Sequence, residues 1–237
     1  MCKPINLGAN TDPYQPVERE RCSTRAVLEV LLAHRHPVTI VTKGALVTRD
    51  LDLLGEFAAH GLVTVNVSLT TLDDGLKRTL EPRAASPAAR LRAIEALVAQ
   101  GVPVGVLLAP MIPTLNDHEL ERLVEAAAAH GASRAAFMPL RLPLEVAGLF
   151  EQWLHEHYPA RAQRVLGLVR GMRGGRLNDP RFGERMRGEG PYARLLAARF
   201  EAACRRHGLN LRRSVELDTT RFVRNPGAPQ QADLFAT

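Results

Sequence analysis

Val38-Thr39-Ile40-Val41-Thr42-Lys43 sets five β-branched residues in a row and closes them with a lysine. Branching at Cβ suits a pleated strand better than a helix. The run is apolar along its length, as a strand covered on both faces requires. Val63–Leu69 and Val102–Ala109 read the same way, with Ile5–Gly8 ahead of them and Ala135–Leu140 after. Helical periodicity fills the intervals. Pro16–His34 carries Val27, Leu28, Leu31 and Leu32 on one face. Leu51–His60 is closed by Gly61. Ser86 is an N-cap and Pro87 a first helical residue for a helix ending at Gly101. Asn116 or Asp117 caps another that ends at Gly131. Strands and helices alternating at this spacing predict parallel pairing through right-handed crossovers. The fold class is α/β.

Polar residues gather just past the strands: Asn10-Thr11-Asp12, Thr42-Lys43, Ser68 with Thr70-Thr71, and Pro110 to Asn116. Parallel α/β folds bind ligands at the carboxyl ends of their strands. Four clusters on one rim therefore predict a small-molecule site. From Glu145 onward the pattern is helical, through Leu149, Phe150, Trp153 and Leu154, then Val165, Leu166 and Val169, then Leu195, Leu196 and Phe200. The expected organisation is a core over 1–143, a basic helical extension over 144–224 and a disordered tail over 225–237.

Charge is distributed unevenly. Residues 159–225 hold 16 Arg against 6 Asp or Glu, in a chain of 237 residues with a net charge of +6. Charge alone leaves open a polyanionic partner or solvated, Arg-rich helix faces. The basic loop around Gly171–Arg187 supplies Arg173, Arg176, Arg181, Arg185 and Arg187 as expected phosphate contacts. The length suffices for a core without disulfides. Cys2, Cys22 and Cys204 are too far apart in sequence for a disulfide framework or a local metal motif. No apolar run reaches membrane-spanning length and no signal pattern opens the chain, so the expected compartment is the cytoplasm. His34-x-His36 and His155-x-His157 lie near helix ends without cysteine or paired carboxylates, which favours dipole-stabilised histidines over a metal site.

Taken together, Leu7–Pro16 (LGANTDPYQP), Val41-Thr42-Lys43, Val67–Thr70 (VSLT), Leu80–Arg83 (LEPR) and Val104–Ile112 (VGVLLAPMI) make Ile5–Arg141 resemble the radical S-adenosylmethionine superfamily, in the branch near spore photoproduct lyase. The resemblance implies a partial (βα) barrel of the radical SAM type, lacking its first βα unit and followed by a basic helical C-terminal extension. It implies S-adenosylmethionine at the rim. Thr11 and Asp12, with Asn10 beside them, would meet the methionine end, and Lys43 its carboxylate, with Arg83 as a second cation. Ser68 would contact ribose, and Ala109, Pro110 and Met111 would flank adenine. Cation for carboxylate and carboxylate for ammonium is the pairing a zwitterion needs. Singly, Lys43 and Arg83 read as surface charge and Ser68 as a turn residue; as a set on one rim they read as a site.

The sequence departs from the family twice. Such enzymes hold a [4Fe–4S] cluster through C-x-x-x-C-x-x-C, because thiolates are the ligands these clusters take. That motif is absent here, and no metal ligand is assigned. The cluster is expected only in a complete form with N-terminal cysteines, this chain being a shortened form of a longer protein, one part of a split protein or a remnant that has lost radical chemistry, the first of these preferred. The family's hydrogen-donating cysteine is matched by Asn10, which leaves the catalytic residue unknown and same-route thymine-dimer reversal in doubt. Tyr14 beside it reads as packing rather than as a radical relay. The expected function of the complete form is a nucleic-acid-directed, DNA-repair-like radical lyase, with DNA as partner. The alternative is a non-catalytic clamp- and nucleic-acid-binding protein on a decayed barrel. Gln231-Ala232-Asp233-Leu234-Phe235 carries the second reading, since a Gln followed by a Leu-Phe pair resembles the peptide that docks on bacterial sliding clamps.

Overall fold

The computed structural model describes residues 2–181, 184–211 and 216–226. In it the apolar runs become β1 (Ile5–Leu7), β2 (Val38–Thr42), β3 (Val63–Ser68), β4 (Val104–Met111) and β5 (Arg134–Pro139). Every neighbouring pair is parallel and the sheet order is β1-β2-β3-β4-β5. Sequential parallel order places all right-handed crossovers on one face, which is barrel topology left open. The crossovers are α1 (Glu18–Arg21) with α2 (Ser23–Ala33), α3 (Leu51–Ala59), α4 (Asp74–Leu80) with α5 (Pro87–Ala99), and α6 (Leu120–Ala129).

Register explains the β-branched residues. Val38 pairs with Val63, Ile40 with Val65 and Val67 with Val106, and all six are at most 1% exposed beneath the helices. Their alternates Thr39, Val41, Asn66 and Leu107 face the other way and are half-buried. Ser86 caps α5 as its sequence foretold, its Oγ accepting from the Ala89 N–H at 3.2 Å.

Three local readings needed correction. Pro16–His34 is two helices, because Cys22 takes a left-handed φ of 51° between them. The buried Glu18 carboxylate stands in for a cap, accepting from the Thr24 N–H at 2.9 Å. Asn116 does not cap α6. Its side chain is buried and braces the loop after β4, accepting from Ile112 N–H at 2.6 Å and donating to the Thr70 and Pro110 carbonyls. Helix α4 went unread; Asp73 is its N-cap, accepting from Leu76 N–H.

After β5 come α7 (Val146–His157), α8 (Pro159–Gly171) and α9 (Gly190–Arg206). Helices α7 and α8 build a second core, Phe150, Leu154, Val165 and Leu166 against Ile112, Leu115 and Leu140. Helix α9 instead joins the main core through Leu196, Phe200 and Ala203, with Phe200 stacked obliquely 4.8 Å from Phe137. Past α9, Asn210 occupies the open edge of β5. Its amide accepts from Ala135 N–H at 3.0 Å and donates to Ala135 C=O at 2.9 Å, taking the place of a further strand. Residues 216–226 then cross beneath the amino ends of the strands. Asp218 N–H reaches Gly61 C=O, Val223 N–H reaches His34 C=O, and Phe222 packs edge-on against His36. The His34-x-His36 pair thus holds this segment. Among the described residues no helix is long and apolar enough to cross a membrane.

Candidate functional site

The site is built on the turn after β1. Gly8 has φ 98°, and a Cβ there would lie 2.1 Å from the Val41 carbonyl oxygen, so only glycine lets the chain leave β1 against β2. The turn delivers Asp12, whose Oδ1 accepts from Thr42 Oγ1 at 2.6 Å and from Tyr14 N–H at 2.9 Å, while Oδ2 accepts from Lys43 N–H at 2.7 Å. Thr42 in turn accepts from Gly44 N–H. Asp12 therefore stitches the β1 turn to the end of β2, and three of its acceptor positions are taken. The expected role of Asp12 as an ammonium acceptor is left with one vacant lone-pair direction.

Lys43 reaches the end of α4. Its Nζ lies 2.7 Å from Glu81 Oε1, which also accepts from Thr70 Oγ1. Glu81 Oε2 pairs at 2.6 Å with Arg90 of α5, whose other nitrogens donate to the Ser68 and Ala85 carbonyls. Arg90 is 2% exposed. Burial alone would raise the Glu81 carboxyl, but Lys43 and Arg90 outweigh it and hold the group below its ordinary range. The charge count decides what this cluster can bind. Buried Arg90 already neutralises Glu81, so the half-exposed Lys43 is a surplus cation.

Beneath the turn, Tyr14 is buried, with its hydroxyl donating to Asp50 Oδ2 at 3.1 Å. Asp50 is fully buried and accepts from both Arg25 and Arg49. Burial first, and then Asp50, push the Tyr14 phenol well above its ordinary value. It stays protonated and packs, as its sequence context suggested.

Asp12, Lys43 and Arg83 meet around one cavity of about 660 Å³, together with Arg19, Gln15, Gly44–Leu46 and Ala84–Ala85. Asn10 and Thr11 sit exposed on the turn leading into it. Ser68, Ala109, Pro110 and Met111 do not line it. Ser68 is 6% exposed, and Met111 is fully buried in the main core. Sequence reading assigned no role to Glu81 and missed Arg90. The signal for Arg90 was present: it shares the helical stripe of Ala93, Ile94 and Leu97, where an arginine must be paired.

The basic loop divides unequally. Arg173 is 2% exposed and donates to the Pro139, Leu140 and Arg185 carbonyls, so it braces the chain and is not available to a phosphate. Arg181 is paired with both Asp179 and Glu189. Arg185 is half-buried, while Arg176 and Arg187 are exposed. Residues Gln231, Asp233, Leu234 and Phe235 lie outside the described residues.

The cavity fits S-adenosylmethionine, since a cationic rim suits its carboxylate. The cysteines do not fit a [4Fe–4S] cluster. Cys204 is buried in the core on α9, Cys22 sits at the break between α1 and α2 beside Arg49, and Cys2 precedes β1. Among the described residues no three His, Cys, Asp or Glu side chains converge on a metal-sized gap.

An open parallel (βα) sheet with a cation-lined cavity at its carboxyl rim defines the partial-barrel class. Residues 2–127 match the family model of the Radical SAM superfamily, and the chain belongs to that family. The uncharacterized protein Rv2578c of Mycobacterium tuberculosis is 37% identical over 168 residues, covering 70% of this chain and 49% of the relative. The uncharacterized protein MJ0683 of Methanocaldococcus jannaschii is 30% identical over 115 residues, or 48% and 43% of the two chains. The chain thus spans about half the length of these curated relatives. Among solved structures, spore photoproduct lyase complexed with dinucleoside spore photoproduct superposes with a TM-score of 0.63 at 18% identity, over 88% of this chain and 61% of that one. A double mutant of the lyase with bound AdoMet and dinucleoside spore photoproduct gives 0.62 at 16% identity, over 88% and 60% of the two chains. These likenesses show the open α/β fold with its helical C-terminal region.

Proposed function

We propose that this chain binds S-adenosylmethionine in the rim cavity and forms the cofactor- and substrate-binding part of a nucleic-acid-directed radical SAM lyase. The observation that carries the reading is the surplus positive charge of Lys43 above the neutralised Glu81–Arg90 pair. Lys43 would exchange part of its contact with Glu81 for the cofactor's carboxylate, with Arg83 as the second cation in the same cavity wall. Asp12 holds the Lys43 backbone in place and keeps one acceptor direction for the ammonium. The cofactor, when bound beside a reduced cluster, supplies a 5′-deoxyadenosyl radical. That cluster would be held by cysteines other than those of this chain. The bias toward nucleic acid is supported by the exposed Arg176 and Arg187, and by the dinucleoside spore photoproduct carried by the structural neighbour. Docking of Gln231 to Phe235 on a sliding clamp remains part of the proposal and rests on sequence alone.

The test is calorimetric titration of the purified chain with S-adenosylmethionine. A charge-assisted hydrogen bond contributes about 1.5–3 kcal/mol, so Lys43→Met should weaken binding roughly tenfold to a hundredfold. Arg205→Gln, on exposed α9, should leave it unchanged. Binding that is indifferent to Lys43, or absent from the wild-type chain at millimolar cofactor, would reject the assignment.

A further inference from the structure

A second cavity, of about 520 Å³, opens where the loop after β4 meets the start of α8. Its walls are Thr114, Asp117, His118, Ala160, Arg161 and Arg164. Arg161 and Arg164 stand three residues apart on one helix, so both guanidinium groups project from the same face. Arg161 uses one nitrogen on the Thr114 carbonyl at 3.0 Å, and Arg164 has no hydrogen bond or acidic partner among the described residues. The one acid in the wall, Asp117, is already engaged: its carboxylate accepts from the Tyr192 hydroxyl, and its carbonyl from Arg199. Thr114 holds a left-handed φ of 62°, and its Oγ1 is sealed from solvent with no partner among the described residues. Two guanidinium groups and an imidazole therefore converge on a polar hollow. Their preferred ligand is a tetrahedral oxyanion that takes several N–H donors at once.

The location narrows the class. Thr114 lies three residues past the carboxyl end of β4, on the same rim as the cofactor cavity. A phosphate held there would tether a longer molecule across that rim. We propose that Arg161 and Arg164, with His118, anchor a backbone phosphate of a nucleic-acid strand whose reacting base is presented to the cofactor cavity. The proposal rests on the nucleic-acid reading above and assigns that reading positioning residues beyond the exposed Arg176 and Arg187 of the basic loop.

Fluorescence anisotropy with a labelled 12-nucleotide oligothymidylate, read over a salt series, tests it. Arg164→Gln removes a side chain with no internal partner, so the fold should be retained; Arg161→Gln/Arg164→Gln removes the pair. The double variant should bind the strand about tenfold more weakly. Its slope of log affinity against log salt should fall by about 0.7 for the one phosphate lost on a single strand. Calorimetric affinity for S-adenosylmethionine should stay unchanged in both variants. An oligonucleotide bound with the same affinity and slope in all three proteins overturns the anchor and leaves the nucleic-acid reading standing. If wild type ignores the oligonucleotide but binds thymidine 5′-monophosphate or inorganic phosphate in an Arg164-dependent way, the hollow serves a small phosphorylated ligand and the strand anchor is overturned. No binding of any of these probes rejects both.

Discussion

Arg90→Met should destabilise the protein by about 3–5 kcal/mol, the usual result of removing one partner from a buried ion pair. Arg90 is 2% exposed, and each of its three guanidinium nitrogens donates: to Ala85 C=O at 3.0 Å, to Ser68 C=O at 3.0 Å and to Glu81 at 2.6 Å. Methionine fills a similar volume but leaves two carbonyls and a 9%-exposed carboxylate short of partners. Lys43 would remain as the only cation on Glu81, so the surplus charge on which cofactor binding depends would vanish as well. Affinity for S-adenosylmethionine should fall by tenfold or more. Arg90→Lys should recover the charge but not the three-way fork, and so land between the two.

The pH dependence separates this account from simple loss of packing. Glu81 has its folded carboxyl held low. Its contribution is therefore present above the unfolded value of about 4.3 and is lost as pH falls through the folded value. In the methionine variant, burial is opposed by Lys43 alone, the folded carboxyl rises, and its protonated form becomes tolerable. Urea unfolding should show the full deficit at pH 7 and a much smaller one near pH 3. A deficit that is constant across that range, or below 1 kcal/mol at pH 7, would mean that Arg90 merely fills space.

Fold class and strand order were legible because they depend on two patterns a chain cannot disguise. Val38–Thr42 and Val63–Ser68 are too β-branched to be anything but covered strands, and Gly61 and Gly101 end their helices at positive φ. The rim was legible for the same reason: polar residues just past an apolar run have nowhere else to go. What resisted reading were the interactions that join elements far apart in sequence. Glu18 caps α2 across the break at Cys22, and Asn116 closes a loop through Thr70, 46 residues away. Arg90 was missed because its partners lie on other elements, 9 and 22 residues earlier. Arg173 failed in the opposite sense. An arginine in a glycine-rich loop resembles a phosphate contact, but the turn folds it inward onto Pro139 and Leu140. Composition reports how many cations a segment has and not which of them face water.

Gly8→Ala should be the most damaging addition of a single methyl group among the described glycines. A left-handed backbone costs an L-residue about 1–2 kcal/mol, and here the methyl also meets backbone, 2.1 Å from Val41 O and 3.0 Å from Val41 C. Backbone cannot swing aside as a side-chain tip can. Either the β1–β2 pairing, only three residues long, gives way, or the turn carrying Asp12 moves. Both break the Asp12 bonds to Thr42 Oγ1 and Lys43 N–H, so the Lys43 side chain loses its platform. The expected result is a stability loss of about 2–4 kcal/mol, within the usual range for strained backbone sites. Cofactor affinity should fall at least tenfold, and the Lys43 amide should exchange rapidly with solvent. Gly148→Ala makes the matched control. It lies inside α7, its added methyl meets nothing within 4 Å, and it should stabilise the protein by about 0.4–1 kcal/mol through helix propensity. Should Gly8→Ala prove as benign as Gly148→Ala, with Lys43 N–H still protected, the turn would have a freedom that the packing of Gly8 on Val41 denies it.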